Sequence, residues 1–229
     1  MVRNHLKRLV MPVTWTTKLK KGVKWVSTVN PGAHNENEGM PLVLALREIL
    51  TYAKTTREVK HILNNKEVLV DGVVRKDHRF NVGLMDVISI PGLKDYYRVS
   101  MNKNNRLSLV KIDEKEASTK VCTIRGKGLY KGKTQLRLSD GRVILADKGK
   151  YKTSDAVVIS LPDQKIHSHI AFEKGATVLL VGGKKAGIIG TIDEIKKDTV
   201  TIKADKHTLE TAKRYCFVVG KTKSEVTIE

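Results

Sequence analysis

Apolar positions recur at helical spacing in the stretch "PLVLALREILTYA" (41–53), with Pro41 suited to a first-turn position. The stretch "TTREVKHILNN" (55–65) repeats the pattern. Thr55 and Glu58 there fit a capping box, and Val59, Ile62 and Leu63 form an apolar stripe. The period then changes. "KEVLVDGVVRKD" (66–77) sets Asp71-Gly72 between two β-branched runs, a strong hairpin signal. "RFNVGLMDVISI" (79–90) adds a turn and a further strand, so 41–91 reads as a helix-helix-hairpin-strand unit. Beyond Pro91-Gly92 short strands follow at regular spacing: "YYRVSMN", "RLSLVKI", "KVCTIRGKG", "TQLRLSDGRVIL", "DAVVISLP" and "HIAF". That spacing suggests a small barrel, with a second hairpin at Asp140-Gly141. A last all-β segment runs from Lys174 to about Lys206, and "RYCFVVGKTKSEVTIE" adds one strand and a polar end.

Within that last segment lies "VGGKKAGIIGTI" (181–192), glycine-rich and carrying two lysines. A P-loop needs Gly, four residues, then Gly-Lys-Ser/Thr, since the lysine reaches phosphate and the hydroxyl binds magnesium. Gly182 and Gly187 have that separation, but Ile188 and Ile189 stand where the lysine and hydroxyl belong. A second cluster, "GKGLYKG" (126–132), misses the dinucleotide fingerprint by one residue. After Gly190, "TIDEIKKDTVTIK" alternates about a Lys-Lys-Asp turn and reads as a β-hairpin. The loop is therefore expected to join strands and to hold no cofactor. Its glycines, Gly183, Gly187 and Gly190, read as backbone requirements, like Gly72 and Gly141 in the Asp-Gly turns. Gly187 is expected to need positive φ, or to let the backbone of a partner come close. Lys184 and Lys185 read as the phosphate contacts.

Charge gives those lysines a context. The chain has 229 residues with 43 Lys+Arg against 24 Asp+Glu, a formal net charge of +19. Such a globule repels itself unless a polyanion supplies negative charge. Nucleic acid is the strongest candidate and an anionic membrane surface the weaker one. No apolar run approaches the ~20 residues of a membrane span. The basic start has no sustained apolar core, so a secretory signal is not expected. Cys122 and Cys216 are isolated in sequence and read as buried, reduced thiols of an intracellular protein. His167 and His169 share a strand face, but a third metal ligand is not evident, so no metal site is expected. Neither G-x-S-x-G nor H-E-x-x-H occurs. Asp71, Asp86 and Asp140 adjoin turns and read as local hydrogen-bond acceptors.

The basic residues are the more informative set. Residues 1–40 lack any acid before Glu36 and carry Arg3, Lys7, Arg8, Lys18, Lys20, Lys21 and Lys24. This arm is expected to bury little apolar surface and to order against a polyanion. A merely solvated tail has comparable weight, though Trp15 and Trp25 count against it. Arg57, Lys60 and Lys66 on or just past the second helix, with Arg75, Lys76 and Arg79 on the hairpin arm, would form one cationic face if helix and hairpin pack together. Aromatic content is 5%, so recognition by backbone charge and shape is favoured over base stacking, which suits structured RNA.

The segment "TTREVKHILNNKEVLVDGVVRKDHRFNVGLMDVISI" closely resembles the S4 RNA-binding domain in its Arg-Glu-Val helix, Val-Asp-Gly hairpin and closing Asp-Val-Ile strand. "EKGATVLLVGGKKAGIIGTI" resembles a KOW motif with Gly187 at its central glycine, but with Ala186 where Lys or Arg is frequent. The full order, "NHLKRLVMPVTW", "NPGAHNENEGMPL", the S4-like unit, "SDGRVI" and the KOW-like segment, resembles the small-subunit ribosomal protein family S4e over essentially the whole chain. The short C-terminal end is similar to the archaeal members. The resemblance implies an α+β, multi-module chain: arm 1–40, S4-like domain 41–92 of two helices plus a hairpin, central β domain 93–173, and 174–229 as a KOW/SH3-like barrel with a C-terminal strand. It implies a non-catalytic, cytoplasmic protein on the ribosome. Its partners would be small-subunit ribosomal RNA and neighbouring ribosomal proteins, with no membrane, small-molecule substrate or cofactor. The competing reading is an RNA-modifying enzyme with an S4-like domain. It needs a large catalytic domain with an active-site Asp, and small β modules consume the chain after residue 92. A transcription factor with a KOW module is disfavoured by the S4-like unit.

Overall fold

The computed structural model describes residues 5–17, 22–146, 149, 151–204, 207–222 and 224–228. They make a mixed α+β chain, mostly strand with few helices, in two compact units. The first comprises residues 1–100 and 106–118, the second 101–105 and 119–229.

In the first unit β1 (Leu6–Lys7) pairs antiparallel with β2 (Trp25–Val26), and β3 (Gly39–Pro41) leads into the first helix. Pro41 is extended at the N-cap rather than helical, since it is the last residue of β3, and its missing N–H is harmless at that edge. The helix α1 (Leu42–Leu44) continues as a π-helical turn over Ala45–Ile49. It is shorter than its apolar pattern predicts: Leu50 N–H reaches the Ala45 carbonyl, and Thr51 takes φ 59°. Helix α2 (Thr56–Asn64) starts as predicted, with Glu58 N–H donating to Thr55 Oγ1 at 3.2 Å and the Glu58 carboxylate accepting from the Thr55 and Lys54 amides. Such a cap contributes about 1 kcal/mol. Burial of Val59 and Leu63, both 0% exposed, is worth about 1.5–3 kcal/mol each, so packing rather than capping holds the helix.

Strands β4 (Leu69–Val70) and β5 (Val73–Val74) form the Asp71-Gly72 hairpin, with φ 52° and 75° at the turn, as I′ geometry requires. Strand β6 (Asn81–Gly83) pairs with β3. Strands β7 (Val87–Ile90), β8 (Asp95–Asn102) and β9 (Arg106–Lys111) complete a sheet ordered β5-β4-β7-β8-β9. Asp71 and Asp86 act as backbone acceptors: Val87 N–H donates to Asp71 Oδ1 at 2.9 Å and Gly83 N–H to Asp86 Oδ2 at 2.8 Å.

The arm departs from its expectation. Trp15 is 1% exposed, and its indole N–H donates to the Gly39 carbonyl at 2.7 Å. Thr14 and Thr16 bond to Leu107 of β9. A buried tryptophan supplies the apolar surface that composition alone left out of account.

In the second unit the long β10 (Thr119–Tyr130) changes partner midway. Thr119–Thr123 pair with β13 (Ala156–Ser160), and Ile124–Tyr130 pair with β11 (Lys133–Leu138). With β12 (Val143–Ala146) and β14 (Ile166–Ile170) the order is β12-β11-β10-β13-β14, around a core that includes Cys122, Ile124, Leu136 and Val157. Asp140, 4% exposed beside its turn, receives Lys120 Nζ at 3.1 Å and Arg142 Nε at 3.2 Å. Asp155 accepts amides from Lys152 and Phe172 and faces His169 at 2.7 Å. Strands β15 (Thr177–Leu180), β16 (Ile189–Ile195), β17 (Thr199–Ala204), β18 (His207–Ala212) and β19 (Cys216–Gly220) form the second sheet, ordered β18-β17-β16-β15-β19.

Charge pairs of unequal burial sit in the first unit. Arg98 is 0% exposed and bonds Glu116 through carboxylate and carbonyl, beside the short helix α3 (Glu114–Ala117). Burial lowers the Arg98 pKa, and the neighbouring Glu116 and Asp71 oppose that shift. Removing one partner of a buried pair costs about 3 kcal/mol, because a desolvated charge remains. Glu116→Ala should therefore lower the urea unfolding midpoint substantially. Lys111→Ala, which breaks the exposed pair to Asp95, should hardly move it.

Candidate nucleic-acid interface

Helix α2 sets Arg57 and Lys60 three residues apart on one exposed side. Lys66 follows the helix end, exposed, with φ 60°. The Arg75 amide bonds to the Val68 carbonyl at 3.3 Å, which ties the far arm of the hairpin to the strand that follows Lys66. Lys76 is exposed. The charges of Lys60 and of the sequence neighbour Arg79 both bear on the half-buried His78. Two of the six cations are partly engaged by the fold. Arg75 lies 4.3 Å over the Phe80 ring, and Arg79 donates to the Thr28 carbonyl at 3.3 Å and to its hydroxyl. His78 is pushed below the ordinary imidazole value, first by burial, then by Lys60 and Arg79, with Asp77 opposing.

In the arm Lys7 and Lys24 are exposed, and Lys24 Nζ stands 5.2 Å from the Trp25 ring. Arg8 is a correction. It is 2% exposed and donates to Glu48 at 2.5 Å, so its guanidinium serves the interior rather than a surface contact. Burial would raise Glu48, but hydrogen bonds from Arg8 and Arg47 and their charges outweigh it and hold the carboxyl low. Arg3, Lys18, Lys20 and Lys21 lie outside the described residues.

The glycine-rich loop joins β15 to β16. Lys184 and Lys185 are exposed at its tip, between Gly183 at φ 80° and Gly187 at φ 83°. Gly187 N–H closes the turn on the Leu180 carbonyl at 2.7 Å. The close approach expected at Gly187 exists, but its partner is the chain itself: a β-carbon there would sit 2.1 Å from the Asn102 carbonyl oxygen. Gly190 is tight without positive φ, its β-carbon position 2.6 Å from the Lys203 carbonyl. Gly141 has φ 76° in its turn. Ala186 is 1% exposed, so a cation at that position would point into the core, and Lys184 and Lys185 carry the charge instead.

His167 and His169 do not converge on a third ligand. His169 is turned to Asp155, and among the described residues no group of three His, Cys, Asp or Glu could hold a metal ion. Cys122 and Cys216 are buried thiols, and burial pushes the Cys216 thiol up to about 11 despite Lys213. The exposed cations of the β10–β11 hairpin, Lys127 to Arg137, lie outside the cationic face expected from the sequence. The signal that marks them is the absence of acid from Ala117 to Ser139.

The model of the family described as Ribosomal family S4e matches residues 93–166. The small ribosomal subunit protein eS4 of Methanosphaera stadtmanae is 45% identical, covering 99% of this chain and 96% of that protein. That of Methanocella arvoryzae is 43% identical over 96% of each. The crystal structure of the 30S ribosomal protein S4e from Thermoplasma acidophilum matches with a TM-score of 0.70 at 31% identity, covering 81% of this chain and 96% of that one. Among the described residues no helix is long and apolar enough to cross a membrane.

Two glycines with nearly equal φ should respond unequally to substitution. Gly183→Ala has only Tyr215 ring atoms at 3.9 Å to meet, so its cost is the strained backbone, about 1–3 kcal/mol. Gly187→Ala adds a clash with backbone and should lower the urea midpoint distinctly further. His78 sets a pH dependence. Its folded pKa lies below its unfolded value of about 6.5, so the folded state binds the proton less well. Stability is present above that value and falls as pH drops below it. His78→Gln should flatten the decline between about pH 7 and pH 5 in denaturation curves.

Proposed function

The chain belongs to the ribosomal family S4e, in its archaeal form, and from that premise we propose that it is a structural constituent of the small ribosomal subunit that binds ribosomal RNA. The observation that carries this reading is the unequal placement of charge. Glu48, Asp86, Glu116, Asp140 and Asp155 are paired with basic side chains of the fold, while Lys7, Lys24, Arg57, Lys60, Lys66, Lys76, Lys184 and Lys185 are exposed. A surface so arranged suits a dense row of phosphates.

In this reading residues 41–92 act as an S4-like domain that lays α2 and the Asp71-Gly72 hairpin against RNA. Residues 93–173 form a central β domain, and 174–229 a KOW-like barrel that offers Lys184 and Lys185 at its turn. Residues 1–40 supply a basic arm, anchored by Trp15 and presenting Lys7, Lys24 and the exposed Trp25. Arg75 and Arg79, partly engaged by the fold, contribute charge rather than free reach. Neighbouring small-subunit proteins are the remaining partners, and the protein works in the cytoplasm, on the ribosome.

Filter binding to small-subunit ribosomal RNA across a salt series tests the reading. Affinity should fall steeply with salt. Replacing Arg57, Lys60 and Lys66 together by Ala should reduce the slope of log affinity against log salt by about 2–3, at ~0.7–0.9 counterion per lost phosphate contact. Lys184→Glu with Lys185→Glu should leave the unfolding midpoint unchanged and yet incorporate poorly into small subunits in competition with wild type. An unchanged slope together with equal incorporation would sink the assignment of both faces.

A further inference from the structure

The β10–β11 hairpin presents a basic, partly apolar face that the S4-like and KOW-like surfaces do not include. From Arg125 to Arg137 the chain holds five cations, Arg125, Lys127, Lys131, Lys133 and Arg137, and no acid. All five are exposed. Strand alternation sorts the residues. Leu136 and Leu138 of β11 and Ala146 of β12 are buried with Ile124 in the core, which leaves Lys133, Gln135 and Arg137 on the opposite face beside Val143 and Leu145. Val143 and Leu145 are each 50% exposed. The ladder puts Tyr130 opposite Lys133, Gly128 opposite Gln135, and Gly126 opposite Arg137, so β10 brings two glycines and one tyrosine to that face.

The glycines have a physical use there. A β-carbon at Gly126 would stand 2.8 Å from Arg137 Nε and 2.9 Å from its Nη2, so the bare strand lets this guanidinium lie across it. Around Gly128 the nearest side-chain atom to such a carbon is Gln135 Oε1 at 3.7 Å, which leaves the backbone open to a close ligand. The turn itself, Lys131 at φ 48° and Gly132 at φ 78°, is a tight hairpin turn lying past the last pairing with β12 at Thr134–Ala146. At that end Tyr130 is 50% and Leu129 80% exposed, and Lys131 Nζ lies 5.5 Å from the Tyr130 ring.

Exposed cations, an aromatic ring at the tip and a strand backbone left open at Gly128 are the elements that grip a nucleic-acid backbone and stack on a sugar or base. An acid-free ribbon would meet a protein neighbour only if that neighbour were strongly acidic. We propose that the outer face of the β10–β11 hairpin is a further RNA-binding surface, in which Lys131, Lys133 and Arg137 engage phosphates and Tyr130 packs on a ribose or unstacked base. The inference rests on the reading of the chain as an RNA-binding ribosomal protein and adds a contact surface to it.

The test uses the full-length protein, a transcript of small-subunit ribosomal RNA as probe, and three variants outside the core. Lys131→Ser with Lys133→Ser and Arg137→Ser should weaken binding at least tenfold near physiological salt and lower the salt slope by about 2. Tyr130→Ala should weaken it several-fold with the slope unchanged, and Tyr130→Phe should restore it. Urea midpoints equal to wild type confirm folding; if the triple variant unfolds early, Tyr130→Ala against Tyr130→Phe decides alone. Wild-type affinity and slope in both tip variants would overturn the inference and leave the RNA-binding function standing. Absence of binding by the wild type would overturn both. Variants that bind RNA normally but fail to enter small subunits would make the hairpin a protein contact, which also overturns it.

Discussion

Forty-three cations against twenty-four carboxylates force a choice about where each acid goes, and most other features follow from that choice. Several of the acids turn inward. Glu48 takes Arg8 and Arg47, Glu116 takes Arg98, Asp140 takes Lys120 and Arg142, Asp86 takes His34, and Asp155 takes His169. A buried pair gains little over a well-packed apolar one, yet breaking it is expensive, so these pairs tie the elements together specifically. The consequence for the outside is direct. Carboxylates committed to the interior are withdrawn from surface neutralisation, and the exposed cations keep their field.

That field is displayed on elements held by backbone geometry rather than by charge. Lys184 and Lys185 stand on a turn whose φ values at Gly183 and Gly187 exclude ordinary side chains from both flanks. Arg57 and Lys60 ride a helix whose other face buries Val59 and Leu63. In β11 the period-2 alternation turns Leu136 and Leu138 into the core and leaves Lys133 and Arg137 on the outer face. In each case packing or backbone bonds hold the element, and the cations stand on its exposed side.

The short-range devices were legible in the sequence because each is a local rule between neighbours. The capping box of Thr55 and Glu58 and the turns at Asp71-Gly72 and Asp140-Gly141 depend on residues at most three apart. So does the conversion of the glycine-rich loop into a strand connection. Charge and the order of the motifs pointed to a ribosomal RNA-binding family, and the relatives agree. Less legible were the end of the first helix, where a π-helical turn closes early, and the partner switch of β10 between β13 and β11.

By itself, then, the sequence determined the local turns, the start of α2, the excess of positive charge and the family, since all of these are sums or patterns over near neighbours. Tertiary structure decided which cations remain available. Arg8 and Lys7 are adjacent and chemically alike, yet Arg8 meets Glu48 forty residues away and Lys7 stays exposed. It also decided what Gly187 must avoid, a carbonyl of Asn102 far back in the chain. Both facts are distances between residues remote in sequence, and no periodicity or composition encodes such a distance until the sheets have brought those residues together.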